Sequence, residues 1–222
     1  MKKLLPLVAL AAILAPALHA QNSMPELTED EWWEKEGFGL VDAYYTQYKP
    51  KDIGKALQGG GASFGGEYVN ADTHLGIGGR FSMAYLDGDG DEYGFSGFLF
   101  AIDLFIPARI SNSLTAYAGA GGALMGGDEC ITLKKEYARN IRGVGDHDMK
   151  FNVDGAGLVG GAFAGVRWRL FDHTYLFAEY RREFGKWDLS CSNYVWSNHD
   201  NIEIKDFDMG GDRFLVGLGV TF

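Results

Sequence analysis

Residues 212–222 read Asp-Arg-Phe-Leu-Val-Gly-Leu-Gly-Val-Thr-Phe. From Phe214 every second residue is apolar: Phe214, Val216, Leu218, Val220 and Phe222. Between them stand Arg213, Leu215, Gly217, Gly219 and Thr221, mostly small or polar. A period of two is the signature of a strand with two unlike faces. Chain termini are usually frayed and wet, so a terminal aromatic calls for an apolar neighbour. Lipid is the economical one, and the stretch reads as the closing strand of a transmembrane β-barrel.

The other end of the chain fits that setting. Met1-Lys2-Lys3 is basic, residues 4–18 are apolar, and Ala17-Leu18-His19-Ala20 has the small-x-small form of a cleavage site. A secretory signal peptide over residues 1–20 is expected. Without it the chain has 202 residues, 18 basic and 30 acidic side chains, and a net charge of −12. That length suits one domain. The charge argues against nucleic-acid binding, which needs a positive patch. No later stretch holds 18 consecutive apolar residues, so no transmembrane helix is expected. The acidic segment 21–36 carries a capping-box pattern at Thr28-Glu29-Asp30-Glu31, followed by Trp32 and Trp33. It reads as a short helix or ordered tail near the inner interface, or as a disordered leader.

Residues 37–222 divide into eight alternating segments: 38–48, 60–69, 75–86, 95–106, 114–125, 153–170, 175–184 and 212–222. About ten residues suffice to cross a bilayer at a tilt. The fourth has an unbroken outward stripe, Phe98, Phe100, Ile102, Leu104 and Ile106, with Asp103 on the other face. The fifth is too rich in Ala and Gly for its faces to be assigned. The expected inward set is Asp42, Glu67, Arg80, Asp103, Arg167, Arg169, Glu179, Arg181, Glu183 and Arg213. An eight-stranded bore is just filled by side chains, and buried charges must be paired or solvated. A charge network plugging the lumen is expected, with Glu67 paired to Arg80 and Arg167 to Glu179. Connections after the odd segments are longer than those after the even ones, the rhythm of an outer-membrane barrel. Cys130 and Cys191 fall in the two longest, 126–152 and 186–209, and an exported pair reads as a disulfide.

On these grounds the chain resembles the small eight-stranded outer-membrane β-barrel proteins of Gram-negative bacteria, those similar to the transmembrane domain of outer membrane protein A. The resemblance rests on residues 1–20, the eight segments and the terminal aromatic. It implies an all-β, antiparallel, up-and-down barrel in the bacterial outer membrane. It also implies that Phe222, within Val220-Thr221-Phe222, belongs to the signal read by the barrel-assembly machinery.

Other constellations are weaker. Asp87-Gly88-Asp89-Gly90-Asp91-Glu92 opens like a calcium loop, but Glu92 and Phe98 stand where that pattern wants Gly and Glu. Gly155-Ala156-Gly157-Leu158-Val159-Gly160 satisfies G-x-G-x-x-G, yet an alternating strand follows where a helix is required. His147 and His199 sit beside aspartates in long loops and read as solvated. His173-Thr174, in a predicted inner turn, has no acid at a convincing spacing for lipid-A-modifying chemistry. No metal, cofactor or enzyme activity is expected.

The functional expectation is a monomeric structural barrel. It would contact outer-membrane lipid and lipopolysaccharide, support membrane integrity and present surface loops for adhesion or recognition. Tyr194, Trp196 and the acidic residues of 202–208 are the contact candidates, with packing of the loops against each other as the equal alternative. The alternatives are a narrow gated pore for small solutes and a soluble lipocalin-like barrel with inward aromatics.

Overall fold

The computed structural model describes residues 36–126, 130–138, 148–153, 157–192 and 201–222. The signal peptide, the acidic segment up to residue 35, His147, Tyr194, Trp196 and His199 lie outside those residues.

Alternation of small or apolar residues with polar ones produces strands throughout. They are β1 (Gly37–Pro50), β2 (Leu57–Val69), β3 (Gly76–Asp89), β4 (Tyr93–Ser111), β5 (Leu114–Gly126) and β6 (Ile131–Leu133). A single helical turn, α1 (Lys135–Ala138), precedes β7 (Met149–Val153). Then come β8 (Gly157–Phe171), β9 (Thr174–Phe184), β10 (Lys186–Ser192), β11 (Asn201–Asp208) and β12 (Gly211–Thr221). Eight of them close a ring, β1-β2-β3-β4-β5-β8-β9-β12 and back to β1, with every pair antiparallel.

The ring is sheared. Paired residues run from Leu40 through Gly65, Arg80, Asp103, Gly121, Gly161, Glu183 and Gly211 to Pro50, so one circuit climbs ten residues. A climb of ~3.3 Å per residue against eight strands ~4.8 Å apart tilts the strands by about 40°. That is the geometry of a bore filled by its own side chains.

The faces are unambiguous. Ile102 is 66% exposed while its neighbour Asp103 is fully buried. Phe64, Ile77, Phe98, Leu104, Ile106, Trp168 and Phe214 join Ile102 on an exposed apolar band. Such a band is stable against hydrocarbon because the closed ring pairs backbone polar groups strand to strand. A water-soluble barrel with an aromatic-lined pocket does not fit this arrangement, because the stripe of β4 faces out.

The structure corrects the expected connections. The two longest are not plain loops: they build a four-stranded sheet outside the barrel. It grows from the outer end of β4, in the order β6, β7, β10, β11. Tyr93↔Leu133 and Phe95↔Ile131 attach β6, and Leu189↔Val153 attaches β10 to β7. The expected segment 153–170 is therefore two elements, since Val153 closes β7 and β8 begins at Gly157.

The expected turn at 107–113 is also shorter, because β4 continues to Ser111. Its ladder with β3 stops at Phe105↔Gly78 and returns as one bridge, Leu75↔Ala108. Pro107, which has no N–H to give, sits in that gap.

The expected disulfide is not found among the described residues, where Cys130 and Cys191 are both buried. Cys130 adjoins β6 and Cys191 lies on β10, with β7 between them. Two strand spacings amount to ~9.5 Å, beyond the ~7 Å that a disulfide spans between Cα atoms.

Candidate functional site: the bore and its outer cap

The ladder decides which charges meet. Arg80 on β3 is the direct partner of Asp103 on β4, and its Nε donates to Asp103 Oδ2 at 3.0 Å. Its Nη2 crosses the bore to Glu179 on β9, at 2.7 and 2.5 Å from the two carboxylate oxygens. Arg181, two residues along β9, returns the crossing: its Nη1 donates to Asp103 Oδ2 at 2.9 Å, and its Nη2 to Asp103 Oδ1. Two arginines and two carboxylates thus form one box across the lumen. Both guanidinium groups also lie over the Phe163 ring, at 5.0 and 4.5 Å from its centroid.

Glu67 takes a different partner from the one expected. It lies on β2 and accepts from Arg167 Nη2 on β8 at 2.5 Å. The expected Glu67–Arg80 and Arg167–Glu179 pairs are diagonal contacts between neighbouring strands. Arg80 instead takes its directly opposed Asp103, and the narrow bore brings Glu179 within its reach. That leaves Glu67 to Arg167. The Arg167 guanidinium lies over Tyr117, Phe105 and Tyr175, with centroids at 5.0, 5.6 and 5.7 Å.

Asp42 takes no arginine within ion-pair distance among the described residues. It accepts hydrogen bonds from Ser63 Oγ at 2.6 Å and from the Tyr175 hydroxyl. Nearer the outside, Arg213 Nη2 meets Glu183 Oε1 at 3.0 Å. Arg169 lies at the inner mouth, beside a cavity of about 20 Å³ that Glu67, Arg167, His173 and Tyr175 also line. That is room for about one water. Phe222 is half exposed at the inner rim, and its backbone exchanges two hydrogen bonds with Gly39, at 2.8 and 3.1 Å.

Two glycines make room for the carboxylates. A Cβ at Gly121 would overlap Asp103, and one at Gly219 would overlap Asp42 and the Tyr175 ring. This accounts for Gly121 on β5. Its inward face is Thr115, Tyr117, Gly119, Gly121, Ala123 and Met125, hollow where β4 is charged.

Above the charges the lumen turns apolar. Leu57, Leu86, Leu99, Met125 and Trp187 are buried at its outer end. Ile131, Leu133, Phe151, Leu189 and Phe207 continue them into the extension as one cluster. Trp187 Nε1 donates to the Leu158 carbonyl at 3.2 Å, and Tyr93 meets Phe207 edge to face at 5.0 Å. The Tyr48 hydroxyl ties β1 to the Met209 carbonyl.

Three groups of bore residues escaped the sequence reading. Arg109 is buried over the Phe38 ring at 4.8 Å. It shares the parity of Asp103, and extending the fourth segment past Pro107 would have found it. The lumen aromatics Tyr117 and Phe105 carried no charge to attract notice. The cap strands β6 and β7 span only three and five residues, too short to distinguish from loop.

No protein-family model matches the sequence, and no curated protein matches it. Solved structures do match. The outer membrane protein OprG of Pseudomonas aeruginosa superposes with a TM-score of 0.59 at 15% identity, covering 85% of this chain and 97% of its own. A major outer membrane protein of Thermus thermophilus gives 0.51 at 11% identity, covering 84% and 99%. At these identities the likeness speaks for the fold. Read with the closed ring, the lipid-facing band and the filled bore, the chain is in fold a small eight-stranded outer-membrane β-barrel.

Proposed function

We propose that this chain is a structural barrel of the bacterial outer membrane, closed to solutes, which holds an ordered sheet above the membrane for surface contacts. The observation that carries the reading is the double closure. A box of Arg80, Asp103, Glu179 and Arg181 spans the bore, and a buried apolar cluster seals its outer end. A solute would have to break buried ion pairs and displace packed side chains in turn.

In this reading the protein is a monomer surrounded by outer-membrane lipid and lipopolysaccharide. Phe222 serves recognition by the assembly machinery, and the extension offers Glu203, Lys205 and Asp206 to partners outside. Adhesion and recognition are the roles such a surface suits, and no catalytic step is assigned to it. Planar-bilayer recording of the purified protein tests the closure: a silent bilayer is expected, and steady nanosiemens openings would overturn it.

A further inference from the structure

The lipid-facing wall is uneven. On β2 to β4 it is built from Phe64, Met83, Phe100 and Ile102, all exposed. Across β8, β9, β12 and β1 the register instead aligns three outward rows. The first is Val166, Ala178, Val216 and Tyr45; the second is Ala164, Tyr180, Phe214 and Gln47; the third is Ala162, Arg182, Asp212 and Lys49. Because Ala164 and Ala178 leave the backbone bare, the first two rows border an open groove of about 660 Å³, with Tyr45, Tyr180 and Phe214 along its sides. That volume lies within the ~300–1,000 Å³ typical of small-ligand sites.

The third row stands at the outer end of this groove. Asp212 accepts from Arg182 Nη1 at 2.7 Å and from the Tyr180 hydroxyl at 2.6 Å. Lys49 is the register partner of the same Asp212, with no ion pair of its own among the described residues. Two cations therefore share one carboxylate, leaving a net positive charge. The shear that carries Leu40 to Pro50 makes a row read from β8 to β1 climb outward, so Lys49 is its highest member. An apolar groove at membrane depth beneath cations at the rim matches the charge and polarity of an anionic lipid. On the outer side of an outer membrane, that lipid is a phosphorylated glycolipid.

We propose that the groove seats an acyl chain of lipopolysaccharide, with a lipid A phosphate held by Lys49 and Arg182. The inference rests on the outer-membrane reading but not on the closed bore, since no residue of the groove needs the lumen to be sealed.

The test is native mass spectrometry of the full chain released from detergent micelles. Three probes are offered separately: bis-phosphorylated lipid A, the same lipid A after phosphatase treatment, and phosphatidylglycerol. The variants are Ala178→Trp, which fills the groove, and the double change Lys49→Gln with Arg182→Gln. Heat-modifiable gel mobility verifies the barrel in each, and Lys49→Gln alone, which removes one cation and leaves the Arg182–Asp212 pair intact, serves if the double change fails to fold.

The wild type is expected to retain one bis-phosphorylated lipid A. Both variants are expected to retain it at least tenfold more weakly, as is the wild type with the dephosphorylated lipid. Equal retention by wild type and Ala178→Trp would overturn the proposal. So would equal retention of phosphatidylglycerol and lipid A, or a lipid-independent dimer that Ala178→Trp dissolves. Loss of heat-modifiable mobility in the wild type would instead count against the barrel itself.

Discussion

In the middle of the bore Arg80 and Arg181 meet Asp103 and Glu179; a few residues further out Phe151, Leu189 and Phe207 belong to one buried apolar cluster. The inward face of β4 passes from one regime to the other. It is apolar at Phe95 and Leu99, and charged at Asp103 and Arg109, all four buried.

The difference lies in the solvent outside the sheet. Within the membrane an apolar side chain gains little by leaving lipid for the interior, because hydrocarbon is as apolar as leucine. Polar side chains then go inward, where they pair. Above the membrane the sheet meets water, and burial of apolar area again drives folding. The same alternation reverses its meaning along one sheet: Ile102 is exposed and Asp103 buried, whereas Asp188 is exposed and Leu189 buried.

The sharpest way to break this contrast is to strip one charge from the box. Asp103→Ala leaves Arg80 and Arg181 each short of a partner, at a cost of about 3–5 kcal/mol. Urea unfolding in lipid vesicles will measure it. Leu189→Ala attacks the other regime and costs about 2–5 kcal/mol. There the damage is local: limited proteolysis should cut the outer sheet while the barrel keeps its heat-modifiable mobility. If the barrel unfolds as well, cap and bore are one cooperative unit.

Reversing the Glu67–Arg167 pair, Glu67→Arg with Arg167→Glu, sharpens the account of the bore. The double variant is expected to recover about 1–3 kcal/mol relative to the sum of its single changes. Simple additivity in the same unfolding assay would mean that the ring stacking of Arg167, not its pairing, holds that level.

The smallest effect is at the rim. Burial alone would raise the Asp208 carboxyl, but the Lys51 ammonium and the Gly210 N–H outweigh it and hold it below its usual range. Lys51 Nζ lies 2.7 Å from Asp208 and Gly210 N 2.8 Å. A carboxyl lowered by folding contributes stability above its unfolded value, about pH 4, and loses that contribution as pH falls through the folded value. The outer sheet is expected to lose at most ~1 kcal/mol of protection from acid-active protease on acidification. Lys51→Ala would remove most of that pH dependence.

The barrel strands were legible because each crosses the membrane in one run, long enough for a period of two to show. The inward charges stood out because they interrupt that period with residues that lipid cannot accept. Their partners did not, since Glu179 reaches Arg80 and Arg167 reaches Glu67 across the bore, a relation set by the shear of the ring. The outer sheet was hidden for another reason. Ile131-Thr132-Leu133 alternates over only three residues and gains its meaning when β4 offers an edge. The assignment of Cys130 and Cys191 to a bridge assumed that two outer loops meet freely; β7 holds them apart.

The seam between β1 and β12 carries a consequence in time. Its pairs join Leu40 to Thr221 and Pro50 to Gly211, so residues more than 160 positions apart must find each other. Until they do, the other strands form an open sheet with two raw edges and no enclosed interior for Asp42 or Arg213. Contacts of such separation are slow to form. The barrel strands have to be kept from neighbouring sheets until then, and the β1–β12 pairing removes both of their raw edges at once.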